Sequence, residues 1–163
     1  MTMRPSCVLV GLAALVGLIP ASFGSAGCPK QDATFSVAAT ADGGLKAPRY
    51  FLRISCSGGA LLTSQLSGRN PSRSDRPFRY SAEQLRELRH TIDAAAFFDL
   101  PADVSGHPSP PDAPYLDLKI VSEGHSHDVV LSVEAAKSSP LRGRFLDVWN
   151  ALWAATGVTV HVP

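Results

Sequence analysis

The chain has 163 residues, 45% of them hydrophobic and 18% charged, which is the length and composition of one globular domain rather than a disordered chain. Its formal net charge is +1, and removing Arg4 with the N-terminal segment leaves as many basic residues as the 14 acidic ones. That balance argues against nucleic acid or an anionic membrane surface as the partner.

Residues 1–26 have the parts of a secretory signal peptide. Arg4 is the only charge before Lys30, and an apolar stretch from Cys7 to Ile19 ends at Pro20. A small-residue segment, Ala21-Ser22-Phe23-Gly24-Ser25-Ala26, follows. A charged start, a short apolar centre and a small-x-small end define such signals. Thirteen apolar residues are too few to cross a bilayer core, which takes about 20. Two cleavage readings remain open. Cleavage after Ala26 leaves Gly27 as the new terminus and a short tail, 27–31, before a domain over 32–163. Ser25-Ala26-Gly27-Cys28 also resembles a lipobox, which would make Cys28 a lipidated first residue. The ordinary signal-peptidase site is the preferred reading, because Ser25 stands where a lipobox carries a large aliphatic residue.

Loss of Cys7 with the signal leaves Cys28 and Cys56. In an exported domain two cysteines read most simply as one disulfide. Lipidation of Cys28 would instead leave Cys56 as a lone thiol, so the two readings exclude each other.

Along the mature chain, Thr34–Thr40 alternates as a strand and Asp42-Gly43-Gly44 signals a turn. Arg49–Cys56 is a second strand, Ser57-Gly58-Gly59 turns, and Ala60–Leu66 is a third. Ser67–Arg79 reads as a polar loop by composition. Ser81 and Gln84 form a capping box for a helix with Leu85, Leu88, Ile92 and Ala95 on one face, ending before Pro101. The segment Pro101–Pro114 is a loop containing five prolines. Tyr115–Val121 and Ser126–Val133 form a hairpin about Ser122-Glu123-Gly124. Ser139-Pro140 opens a second helix as cap and first helical residue, with Leu141, Phe145, Val148, Trp149 and Leu152 buried and Gly157 suited to its C-terminal end. Val158–Val162 alternates as a short last strand or tail. The order β-β-β-α-β-β-α predicts an α+β fold, a small antiparallel sheet of about five strands with two helices on one face.

Few residues suggest chemistry. His125 and His127 stand at i and i+2 on a strand, so both point to one side, as a zinc site requires. A third ligand would come from Glu123, Asp128, His107 or His161. The plainer reading is two polar residues at a hairpin entry. Arg69, Arg73, Arg76 and Arg79 could bind phosphate or an acidic partner, but they lie among prolines and serines without interleaved aromatics, which suits a solvated loop better. Trp149 belongs to the core stripe; for Trp153, one turn on, core packing is the default and a surface contact the alternative. There is no GxSxG, HExxH, Walker or GxGxxG motif, and no carboxylate pair placed for general acid–base work. The expectation is a non-enzyme without a cofactor.

Ser57-Gly58-Gly59 after a strand, Ser81-Ala82-Glu83-Gln84-Leu85 opening a helix, Ala96–Pro101 and Asp112–Leu118 together resemble the small bacterial domains related to emfourin, a proteinaceous inhibitor of a thermolysin-like metalloprotease. The resemblance covers roughly residues 50–156. It implies a binding or inhibitory module for an extracytoplasmic protein such as a protease. The alternative is a lipid-anchored envelope protein that touches the membrane through Cys28. An inhibitor presents a rigid loop or strand edge, which places the candidate contacts at Ser57, Gly58, Gly59 and the loop His107–Pro114.

Overall fold

The computed structural model describes Cys28 and residues 34–44, 47–66, 68, 70–106, 110, 113–133 and 139–158. The expected signal peptide, the tail apart from Cys28, His107, Asp112, His161 and Thr159–Val162 lie outside the described residues.

Six strands form one antiparallel sheet: β1 (Ser36–Asp42), β2 (Arg49–Ser55), β3 (Gly59–Leu66), β4 (Ser72–Arg79), β5 (Tyr115–Ser122) and β6 (His125–Ser132). Their order across the sheet is β4-β3-β2-β1-β5-β6. The first four strands make a meander that grows away from β1. Helix α1 (Ala82–Ala94) then returns the chain to the other side of β1, where β5 pairs with it, and α2 (Arg142–Ala154) follows β6. The fold is α+β, as the sequence predicts.

The expected loop Ser67–Arg79 is corrected in the structure. Its second half is β4, in register with β3 from Gly59↔Arg79 to Leu66↔Ser72. Proline and charge are tolerated there because β4 is an edge strand, where a missing N–H and polar side chains block further pairing. The β6 edge is covered differently. Val130 accepts from Val104 N–H at 3.0 Å and donates to the Ala102 carbonyl at 2.8 Å.

Alternation gives the sheet one buried face. Val37, Ala39, Ala41, Leu52, Ile54, Leu62, Leu116, Leu118, Ile120, Val129 and Leu131 all turn toward the helices and are buried. From α1 they meet Leu88 and Ile92, and from α2 Phe145, Val148, Trp149 and Leu152. Ser81 caps α1 as expected: its Oγ accepts from Gln84 N–H at 3.1 Å, and Gln84 Oε1 accepts from Ser81 N–H at 2.8 Å. The start of α2 is corrected. Ser139 Oγ accepts from Leu141 N–H at 3.3 Å, so Ser139-Pro140 forms the turn before the helix and Leu141 stands at its cap position without a side-chain bond. The β5–β6 hairpin closes on Glu123 (φ 51°) and Gly124 (φ 82°), a two-residue loop whose twist matches the flanking strands.

Candidate functional site

Among the described residues no helix covers the opposite face of the sheet. Register places Ser36, Ala38, Thr40 and Asp42 of β1 in its middle, next to Ser55, Arg53, Phe51 and Arg49 of β2. Beyond these lie Leu61 and Pro77 on one side, and Val121, Lys119, Asp117 and Tyr115 on the other. Leu61 (39% exposed), Tyr115 and Val130 are exposed large hydrophobics, and all three project from this face. Apolar side chains gathered on a solvated face are the usual mark of an interaction surface.

A groove of about 780 Å³ runs across this face. Ala38, Gly59, Leu61, Pro77 and Val121 line it together with Ser36, Ser55 and Ser57, while Arg53, Arg79 and Lys119 supply three cations. No carboxylate is among the described lining residues.

One end of the groove is the β2–β3 turn, where the sequence places Ser57, Gly58 and Gly59. This turn is held at several points. Gly58 N–H donates to the Ser55 carbonyl at 2.9 Å, and the Gly58 carbonyl accepts from Tyr80 N–H at 2.8 Å. Arg79 Nη1 donates to the Ser57 carbonyl at 2.9 Å, and Ser55 Oγ to the Gly59 carbonyl at 3.1 Å. Gly58 has φ +79°, and a Cβ there would lie 2.5 Å from the Tyr80 carbonyl oxygen, so glycine answers both the dihedral and the close approach. The preceding residue, Cys56, is disulfide-bonded to Cys28, with Cα atoms 5.6 Å apart. The turn is thus tied to its own strand, to β4 and to the N-terminal segment.

The other sequence candidates lie elsewhere. Trp153 is in the core, which removes it as a surface contact: it is 4% exposed, 5.3 Å from Trp149 and 6.3 Å from Tyr50 between ring centroids. It sits on the helical side of the sheet and does not reach the groove. His127 packs against Phe97 and Phe98 and its Nε2–H donates to the Leu100 carbonyl at 2.7 Å, which occupies that nitrogen. His125 and His127 share a second pocket of about 550 Å³ with Arg89, Asp93 and Glu123. Among the described residues no three His, Cys, Asp or Glu side chains are grouped to hold a metal ion. Of the loop His107–Pro114 only Pro110, Ala113 and Pro114 are described.

Sequence reading missed the charged half of the groove. Arg53 and Lys119 are exposed positions alternating with buried Leu52, Ile54, Leu118 and Ile120. Each by itself looks like a solvated strand residue, and only the pairing of β2, β1 and β5 brings them to one surface. As one arginine of the expected loop Ser67–Arg79, Arg79 had no place on the sheet. A strand reading of that segment would have found it, because Arg79 pairs with Gly59.

Beside the groove, Asp117 and Asp128 occupy the same face. Burial first, then hydrogen bonding and repulsion from Asp128, push the Asp117 carboxyl up to about 6, against the pull of Lys119. Asp75, at the other side, accepts from Thr63 Oγ1 at 2.6 Å and pairs with Arg73. These bonds hold it below the ordinary carboxylate value.

Compared with known proteins, the chain matches no protein-family model and no curated protein.

Proposed function

We propose that this protein is an exported binding module without catalytic activity, an inhibitor-like domain that engages an extracytoplasmic protein, such as a protease, through the Ser57–Gly59 turn and the groove beside it. The observation that carries this reading is the multiply bonded turn at the mouth of an apolar groove, on a sheet face that no described helix covers. Preorganised loops bind with less loss of conformational entropy than mobile ones. The groove's described lining offers hydroxyls but no histidine or carboxylate to activate them, which supports binding rather than chemistry. The Cys28–Cys56 disulfide supports an oxidising compartment, and it engages the sulfur that the lipid-anchored alternative requires.

Two measurements test the reading. The first is intact mass from the native host, before and after reduction and alkylation. A chain beginning at Gly27, with two thiols appearing only on reduction, is expected; a chain beginning at Cys28 with added lipid would replace this reading with the anchored one. The second is residual activity of secreted thermolysin-like and other proteases with the purified protein in excess. Inhibition that a Leu61→Arg change abolishes is expected. Full activity of every protease would remove the inhibitory version.

A further inference from the structure

The groove's dimensions and charge narrow its occupant. Arg79 lies on β4 and Lys119 on β5, with β3, β2 and β1 between them. Four inter-strand steps make roughly 19 Å, the span of about six residues of extended chain. Arg53 stands between the two ends, cross-strand from Leu61 on one side and Ala38 on the other. The cations are therefore distributed along an apolar trough rather than gathered at one point. Among the described residues neither Arg53 nor Lys119 makes a close ion pair, although Lys119 draws on the Asp117 carboxyl from a distance. Arg79 spends one of its five N–H donors on the Ser57 carbonyl.

We propose that the groove takes an extended segment of a partner protein in which carboxylate side chains alternate with small apolar ones. This rests on the reading of the groove as the working surface. Alternate side chains of an extended segment point to one side, so the acidic ones turn together toward Arg79, Arg53 and Lys119 with their methylene stems over Leu61 and Val121, while the small apolar ones between them face away from the sheet. A single lipid carboxylate could meet only one of three cations spread over this length. A nucleic-acid strand would meet the carboxylates of Asp75 and Asp117, which share the neighbouring cross-strand row, and of Asp128 beside Lys119, and the lining holds no aromatic ring on which bases could stack.

The test is fluorescence anisotropy with the full, disulfide-bonded chain and three labelled hexapeptides, (Glu-Val)3, (Gln-Val)3 and (Lys-Val)3, with a thymidine hexanucleotide as a fourth probe. The glutamate peptide is expected to bind at least about tenfold tighter than the other three, a difference of about 1.4 kcal/mol. The double change Arg53→Gln with Lys119→Gln should remove that preference while lowering the melting temperature only slightly, since both side chains are exposed and the interaction lost is the pull of Lys119 on Asp117. If that variant fails to fold, the wild-type salt dependence decides: the preference should shrink as salt rises from about 20 to about 200 mM. Equal binding of glutamate and glutamine peptides, stronger binding of the oligonucleotide, or no peptide binding would overturn the acidic-segment inference. The groove itself is judged separately, by whether Leu61→Arg abolishes protease inhibition or partner capture.

Discussion

Arg144 of α2 closes the C-terminal end of α1 through Ala95: its Nε donates to the Ala95 carbonyl at 2.7 Å, and its Nη2 to the Ala96 carbonyl at 2.6 Å. The last turn of α1 has no basic residue of its own, so a side chain 49 residues later satisfies carbonyls that the helix leaves open. Charged hydrogen bonds of this kind contribute about 1.5–3 kcal/mol each before solvent competition is counted. Arg144 is half-buried, and Arg144→Ala should lower the unfolding free energy by about 2 kcal/mol in a urea titration. Arg144→Lys should recover less than half of the loss, because an ammonium cannot present the same two-pronged fork.

Ala96 follows that cap with φ 45° and ψ 52°, a left-handed conformation that costs an L-residue about 1–2 kcal/mol relative to glycine. Glycine is freer in the unfolded chain, which offsets part of this gain. Ala96→Gly should therefore stabilise the protein by about 0.5 kcal/mol, seen as a small rise in the denaturation midpoint. A fall would mean that the Ala96 methyl contributes packing that outweighs its backbone strain.

The pattern of what sequence reading reached follows from the range of each interaction. The Ser81–Gln84 capping box is complete within four residues, so its hydrogen bonds were legible from identity and spacing. The alternation in β1, β2, β5 and β6 was legible because one face of each strand is buried. Strand β4 carries no such alternation: all its residues but Phe78 are exposed. Its conformation is imposed by β3 and by bonds such as Thr63 to Asp75 and Arg76 to the Thr156 carbonyl. The site divides in the same way. Ser57-Gly58-Gly59 announces itself as a turn, whereas Arg53, Arg79 and Lys119 become neighbours only through the register of five strands.

Gly58 gives a sharp test of how the turn is held. A methyl group at this position would meet the Tyr80 carbonyl oxygen at 2.5 Å with φ at +79°, and the same contact region carries the Tyr80 N–H to Gly58 carbonyl bond. Backbone cannot move aside as a flexible side chain would. Gly58→Ala should cost about 2–3 kcal/mol and weaken partner binding through displacement of Ser57. Gly59→Ala is the milder comparison: its nearest neighbour is the Ser55 hydroxyl at 3.2 Å, which a rotation can relieve at the expense of one exposed bond to the Gly59 carbonyl, so it should cost less than about 1 kcal/mol.

The Asp117 carboxyl gives stability a pH dependence of known sign. Its folded value, about 6, lies above the ordinary 3.8, so the folded state holds a proton that the unfolded chain has released. This contribution is fully present below about pH 4 and is lost as pH rises through about 6. Asp117→Asn cannot ionise. The melting temperature of the variant should exceed that of the wild type above about pH 7, and the gap should close toward pH 4, where both side chains are neutral. The groups facing this site are Asp128 and Lys119, and an Asp128→Asn change should bring the Asp117 midpoint down. A gap that stayed constant with pH would show that Asp117 does not titrate differently on folding.

The Cys28–Cys56 bond closes a loop with a sequence separation of 28, which on the chain-entropy model contributes about 3–4 kcal/mol. Its placement adds a local consequence. Cys56 precedes Ser57 directly, so reduction removes one of the ties on the turn, while the hydrogen bonds from Arg79 and Tyr80 remain. A protein with both cysteines changed to alanine should fold with its sheet intact, lose about 3–4 kcal/mol in denaturant, and show faster amide exchange at Ser57 and Gly58 than at β1. Partner affinity should fall with the rigidity of the turn. If affinity held while stability fell, the remaining bonds to β4 would be sufficient to shape the turn, and the disulfide would act on the unfolded chain alone.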